Sequence, residues 1–171
     1  MRMLDTLIIL LALLVSPDDA DALRRTAPSY LTVETARVHL AAARLAAAQF
    51  SVDPDLVLSI AYYESRYNAN ERTQEPRRKI SCGVMTPVPK YACETPSLAA
   101  GYLEGAGHLR EWLNLCHGHE LCALRGYAGG WSVINLCGDA SGRAVRVCRR
   151  VAARQWRAGW IRRLRAAYAA S

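Results

Sequence analysis

No apolar run in this chain exceeds the nine residues from Leu7 to Val15, lysine is nearly absent, and no acidic residue follows Asp139. A run of nine is too short to span a bilayer, so no segment reads as a transmembrane helix. The first 81 residues lack cysteine altogether, which confines any disulfide framework to the region from Cys82 onward. No segment of any length alternates apolar and polar residues as a half-buried strand would, and there is no internal repeat or low-complexity tract. These absences leave a helical domain. Arginine supplies 20 of the 22 basic residues and alanine is abundant, as a GC-rich genome would impose, so part of the net charge of +7 is compositional.

What is present begins with a leader. Arg2, the apolar run and the small-x-small triplet Ala20-Asp21-Ala22 have the layout of a secretory signal peptide, with cleavage expected after Ala22. An uncleaved N-terminal anchor is the alternative, because Asp5 and the acidic Pro17-Asp18-Asp19 flank are unusual in a leader. Removing residues 1–22 leaves 149 of 171 residues, enough for one domain with a real core. The removed piece carries Arg2 and four aspartates, so the mature charge rises from +7 to +10. Such a balance favours anionic partners, among them wall polymers and phospholipid headgroups, in a periplasmic or secreted location.

An even set of cysteines in an exported chain reads as disulfides: Cys82, Cys93, Cys116, Cys122, Cys137 and Cys148. Six cysteines allow fifteen connectivities; the sequence-local one, 82–93, 116–122 and 137–148, is expected here. Zinc is the competing reading, since Cys116-His117-Gly118-His119-Glu120-Leu121-Cys122 gathers several ligand types. The spacing matches no common finger and an oxidising compartment favours disulfides, so neither metal nor cofactor is expected.

The pattern predicts helices near 32–49, 54–66, 96–115, 120–128 and 143–169, with 68–89 the longest irregular stretch. The run from Asp53 to Tyr67 stands out. Asp53 is a good N-cap and Pro54 fits the first turn. Leu56, Ile60 and Tyr63 recur at helical spacing, as do Val57, Ala61 and Glu64, so apolar residues cover most of the circumference. Glu64 is a lone carboxyl in the last turn of this greasy helix. There the helix dipole and burial both disfavour its charge, as a general acid requires. A glutamate that simply reaches solvent from a helix end fits the same pattern.

The stretch Asp53 to Asn68 resembles the first motif of the soluble lytic transglycosylase (SLT) family, in which a Glu-Ser pair ends a buried helix. Gly83-Val84-Met85-Thr86 resembles that family's Gly-Leu-Met-Gln turn, and Gly105-Ala106-Gly107-His108-Leu109 its third segment. Ala123-Leu124-Arg125-Gly126-Tyr127-Ala128-Gly129-Gly130 is similar to its Ala-Leu-x-x-Tyr-Asn-x-Gly motif. The four segments occur in family order over residues 50–131. The resemblance implies a single mostly α-helical, lysozyme-like domain that cleaves the β-1,4 bond between N-acetylmuramic acid and N-acetylglucosamine. It also implies Glu64 as catalytic acid, Ser65 near the substrate, Met85 lining the groove, and Tyr127 hydrogen-bonded close to the carboxyl. Small exported relatives of this kind accompany secretion, conjugation or pilus machinery, or serve phages. Two positions depart from the pattern: Thr86 replaces the usual Gln, which bears on substrate contacts, and Ala128 replaces Asn.

Hydrolysis by the usual glycosidase routes needs two carboxyls at defined separation. No second acid has an obvious catalytic spacing here. Glu71 and Glu75 lie in a loop with Arg72, Arg77, Arg78 and Lys79, where they read as solvated charges. A one-carboxylate lyase is therefore favoured over a lysozyme-type hydrolase, with a catalytically weak wall- or membrane-binding protein as the reading from another class. For that last reading, Arg143, Arg146, Arg150, Arg154 and Arg157 follow i+3/i+4 spacing among Val147, Val151, Trp156, Trp160, Ile161 and Leu164. Such a helix could lie on an anionic surface, or close the core with its arginines solvated. An exported chain with no binding motif argues against nucleic acid. Trp112 and Trp131 could stack on sugars, though at helical spacing such residues more often enter the core.

Overall fold

The computed structural model describes residues 2–74, 80–86, 97–134 and 142–170. It is mostly helical: α1 (Arg2–Leu13), α2 (Pro17–Thr26), α3 (Val33–Phe50), α4 (Pro54–Ser65), α5 (Leu98–Leu115), α6 (Glu120–Gly129), the single turn α7 (Trp131–Ile134) and α8 (Gly142–Ala169). Side-chain caps set the starts. Thr32 and Thr35 form a reciprocal capping box at α3, Asp53 accepts from the Asp55 amide at 2.8 Å at α4, and Ser97 accepts from the Ala100 amide at 3.1 Å at α5.

Two short strands, β1 (Arg72–Gln74) and β2 (Ile80–Cys82), pair antiparallel with Thr73 opposite Ser81. This hairpin corrects the expectation of an irregular 68–89 stretch. Three residues are too few to display an alternating pattern. Glu75, Arg77, Arg78 and Lys79 lie outside the described residues.

The core gathers around α4, whose Leu56, Val57, Leu58, Ile60 and Ala61 are fully buried, together with Leu40 of α3, Tyr102 and Leu109 of α5, Leu124 of α6 and Ile161 of α8. Polar bonds tie the layers. Ser59 donates to the Arg154 carbonyl at 2.5 Å, and Arg110 Nε donates to the Phe50 carbonyl at 2.7 Å. Cys116 and Cys122 are joined in a disulfide bracketing the α5–α6 turn. Cys82 and Cys148 are also disulfide-bonded, but Cys93 and Cys137 lie outside the described residues, as do the pairings expected for them.

Residues 2–26 pack on the rest. Ala20, Ala22 and Leu23 of α2 are buried, and cleavage after Ala22 would fall within that helix. The outer face of α1 exposes Leu7, Ile9, Leu10 and Leu13, and Leu14 just after it is exposed too. Among the described residues, no helix is long and apolar enough to cross a membrane.

One buried basic group has a direct consequence for stability. His39 of α3 shares a 2.9 Å hydrogen bond with the Tyr102 hydroxyl, and burial pushes its imidazole from 6.5 down to about 4. Between those values the unfolded chain binds the proton and the folded one does not. Stability is therefore present in full above about pH 6.5 and declines by about 3 kcal/mol as pH falls to about 4, from this group. Thermal melts from pH 7 to 4 should show that decline, and His39→Gln, which keeps a partner for Tyr102 without titrating, should flatten it. An equal slope in the variant would remove His39 as its cause.

Candidate functional site

Glu64 lies in the last turn of α4, which ends where Arg66 takes a left-handed conformation (φ 57°). Its neighbour Ser65 is buried. The Ser65 hydroxyl donates to the Val84 carbonyl at 2.6 Å, lies 3.1 Å from the Ala61 carbonyl, and accepts from the Asn68 amide at 3.1 Å. Ser65 thus fastens the helix end to the turn that follows β2. The residue expected near the substrate thus spends its hydroxyl on holding this junction.

That turn runs from Gly83 to Thr86, closed by the Thr86 amide donating to the Gly83 carbonyl at 3.1 Å. Gly83 has φ +84°, which a side chain would strain. The Met85 side chain, expected to line a groove, is fully buried instead. It presses on Gly105 of α5, where an added Cβ would stand 2.5 Å from both Met85 Cβ and Sδ. The part of Met85 that takes up a site residue is its carbonyl, which accepts from the Tyr127 hydroxyl of α6 at 2.9 Å. The segments singled out in the sequence therefore meet: the α4 terminus, the Gly83–Thr86 turn, Gly105 and Tyr127.

Both oxygens of the Glu64 carboxylate have a donor. Thr86 Oγ1 donates to Oε2 at 3.0 Å, and the Arg154 guanidinium of α8 donates to Oε1. Glu64 keeps 21% of its side chain exposed and Arg154 only 9%. Burial holds the Tyr127 phenol well above its ordinary value of 10, with the charge of Glu64 pushing the same way against Arg154, so it stays protonated. The His108 ring of α5 stands behind Tyr127, centroids 5.0 Å apart, and accepts the Trp112 indole N–H at 3.2 Å. Trp112 is buried, while Trp131 is 57% exposed with its ring 5.4 Å from that of Trp112.

Arg154 is the residue that the sequence reading misplaced among solvated arginines. The available signal was its phase: it falls on one side of α8 with Val151, Ala158 and Ile161, all fully buried. Arg157 follows it inward, donating to the Thr26 carbonyl and lying 3.3 Å over the Tyr62 ring. Arg162 pairs with Asp53 and Glu120, and Arg165 with Asp19 and Asp55. Arg149, Arg150 and Arg163 are exposed, and helical spacing puts Arg149 and Arg163 on the face of α8 that carries Trp156 and Trp160, whose rings stack 5.8 Å apart.

Chemically, the arrangement offers one partly exposed carboxylate able to exchange a proton, backed by a cation and a hydroxyl. The Glu71 carboxylate accepts from the Asn68 amide group at 3.2 Å and its carbonyl accepts from the Gly83 amide at 3.0 Å; Glu75 lies outside the described residues. Among the described residues no three His, Cys, Asp or Glu side chains gather in a metal-binding arrangement. Comparison with known protein families, with characterised proteins and with solved structures finds no match to this chain.

Proposed function

We propose that this chain is an exported peptidoglycan lytic transglycosylase of lysozyme-like fold, with Glu64 as its single acid/base. The observation that carries the reading is convergence. Four stretches that resemble successive motifs of one family, spread over residues 53–130, are drawn together around one carboxyl. In the proposed reaction Glu64 delivers its proton to the glycosidic oxygen of the leaving N-acetylglucosamine as the C1–O bond of the muramic residue breaks. The substrate's N-acetyl group supports the electron-poor C1. The carboxylate then removes the proton from the muramic 6-hydroxyl, whose oxygen closes on C1 to form the 1,6-anhydro ring. Atoms and charge balance, and no second carboxyl is required. Mass analysis of muropeptides from purified murein tests the reading: anhydro ends support it, and reducing ends indicate hydrolysis instead.

The outward arginines of α8 support a second, compatible role. Arg149 and Arg163, on the face that carries the stacked Trp156 and Trp160, suit an anionic envelope surface, with indoles at the polar–apolar boundary. Each arginine at such a surface contributes about 1 kcal/mol. Arg149→Ala with Arg163→Ala should therefore weaken sedimentation with anionic vesicles by roughly tenfold or more. Equal binding to neutral vesicles would contradict the electrostatic role.

A further inference from the structure

We infer that Arg154 and Thr86 act as a two-sided clamp on Glu64, positioning it and stabilising the charge it acquires when it gives up its proton; this rests on the reading of Glu64 as the acid. Three observations converge on it.

First, the two donors divide the carboxylate, one to each oxygen, and come from opposite directions: Arg154 from α8 and Thr86 from the turn after β2. Donors aimed beforehand at the place where charge develops favour the step that creates it, because nothing has to reorganise. Second, each donor is itself held. The Arg154 carbonyl accepts from Ser59 at 2.5 Å, and its guanidinium lies 5.8 Å from the Tyr63 ring. The turn is pinned on both sides of Met85, by Ser65 on the Val84 carbonyl and Tyr127 on the Met85 carbonyl. Third, Thr86 has φ +40°, a left-handed conformation that a β-branched residue adopts only under strain. Such strain persists where surrounding structure enforces it, and it accumulates at functional sites. Here it directs the hydroxyl at Glu64.

The two donors differ chemically. A guanidinium can only donate, so it favours the carboxylate. A hydroxyl can donate to the carboxylate or accept from the acid, so Thr86 can hold Glu64 in either state. Thr86 thereby becomes a positioning residue, whereas the Gln of the resembled family would reach the substrate. The titratable groups that interact with Glu64 include Arg154 from α8 and Tyr127 from α6; His108 of α5 stands against Tyr127, and Tyr63 of α4 against Arg154. Of these, Arg154 alone carries a fixed charge against the carboxylate.

The test uses the full chain with Arg154→Met, Arg154→Lys, Thr86→Val and Thr86→Ser, folding checked by near-ultraviolet circular dichroism. The Glu64 carboxyl carbon is followed by NMR through a pH titration, which needs no activity. Removing the cation that faces one carboxylate oxygen in Arg154→Met should move that titration to higher pH, and Arg154→Lys should restore most of it. In murein digestion the alkaline limb of the kcat/KM profile should move the same way. Thr86→Val should lower kcat about tenfold with KM little changed, and Thr86→Ser should recover it. An unmoved Glu64 titration in folded Arg154→Met overturns the electrostatic half, and a raised KM at constant kcat in Thr86→Val overturns the positioning half. If Arg154→Met does not fold, Arg154→Lys and the Thr86 pair still decide. A wild-type chain that leaves murein intact refutes the proposed function, while the titration reports on the clamp regardless.

Discussion

Glu64→Gln should abolish the release of anhydro-muropeptides, with a rate loss of about a thousandfold or more. General acid–base catalysis by one group is typically worth 10²–10⁴-fold, and in the proposed reaction one carboxyl serves both proton transfers. Glutamine keeps the shape and can still accept from Thr86, but it has no proton to deliver. It also leaves the Arg154 guanidinium, only 9% exposed, facing a neutral amide. A buried cation without its anion destabilises the fold, so the comparison should be made well below the variant's melting temperature. Mass spectrometry of the digest reads the outcome. Anhydro products from Glu64→Gln at near wild-type rate would remove Glu64 from the chemistry. A variant that loses reducing-end products instead would keep Glu64 as the acid and assign hydrolysis.

The largest expected effect on stability is at Arg165. It bridges two carboxylates from distant parts of the chain, donating to Asp19 of α2 at 3.1 Å and to Asp55 of α4. Asp55 is buried, and burial pushes its carboxyl above the ordinary 3.8 despite Arg165. Burial works the same way on Asp19, but its bonds to Arg44 and Arg165 outweigh it and hold that carboxyl below 3.8. Removing one partner of such a network leaves uncompensated charge in a poorly hydrated place, at a cost of about 3–5 kcal/mol. Arg165→Met, which preserves volume, should therefore lower the urea midpoint sharply near pH 7. The deficit should shrink as pH falls, because the freed Asp55 takes up a proton more readily than in the unfolded chain. A pH-independent deficit would place the loss in packing rather than in charge. The outward Arg163→Met serves as the control and should change stability by less than about 1 kcal/mol.

Helices α3 to α6 and α8 were legible in the sequence because their signals are local. Asp53-Pro54 announces α4 within two residues, and apolar spacing carries each helix onward. The candidate acid was legible for the same reason, as a carboxyl out of place in an apolar stripe. What escaped was non-local. The partners of the α8 arginines lie far away in the chain: Glu64 is 90 residues from Arg154, and Asp19 is 146 from Arg165. With no acid on the helix itself, those arginines looked solvated. The roles of Ser65 and Met85 were obscured differently. A motif fixes which residue stands at a position, whereas burial decides whether its side chain or its backbone faces the site.

The pairing of Glu64 with Arg154 also sets an order of events during synthesis. The ribosome delivers the chain from its N-terminus, so α4 and the turn bearing Thr86 emerge well before α8. Local contacts form quickly, whereas one spanning 90 residues must wait for the chain to close a long loop. The carboxyl therefore remains half-assembled until the last helix docks. A chain truncated or stalled before α8 would carry every motif recognisable in its sequence and still lack the finished site, because the cation that faces Glu64 arrives only when α8 docks.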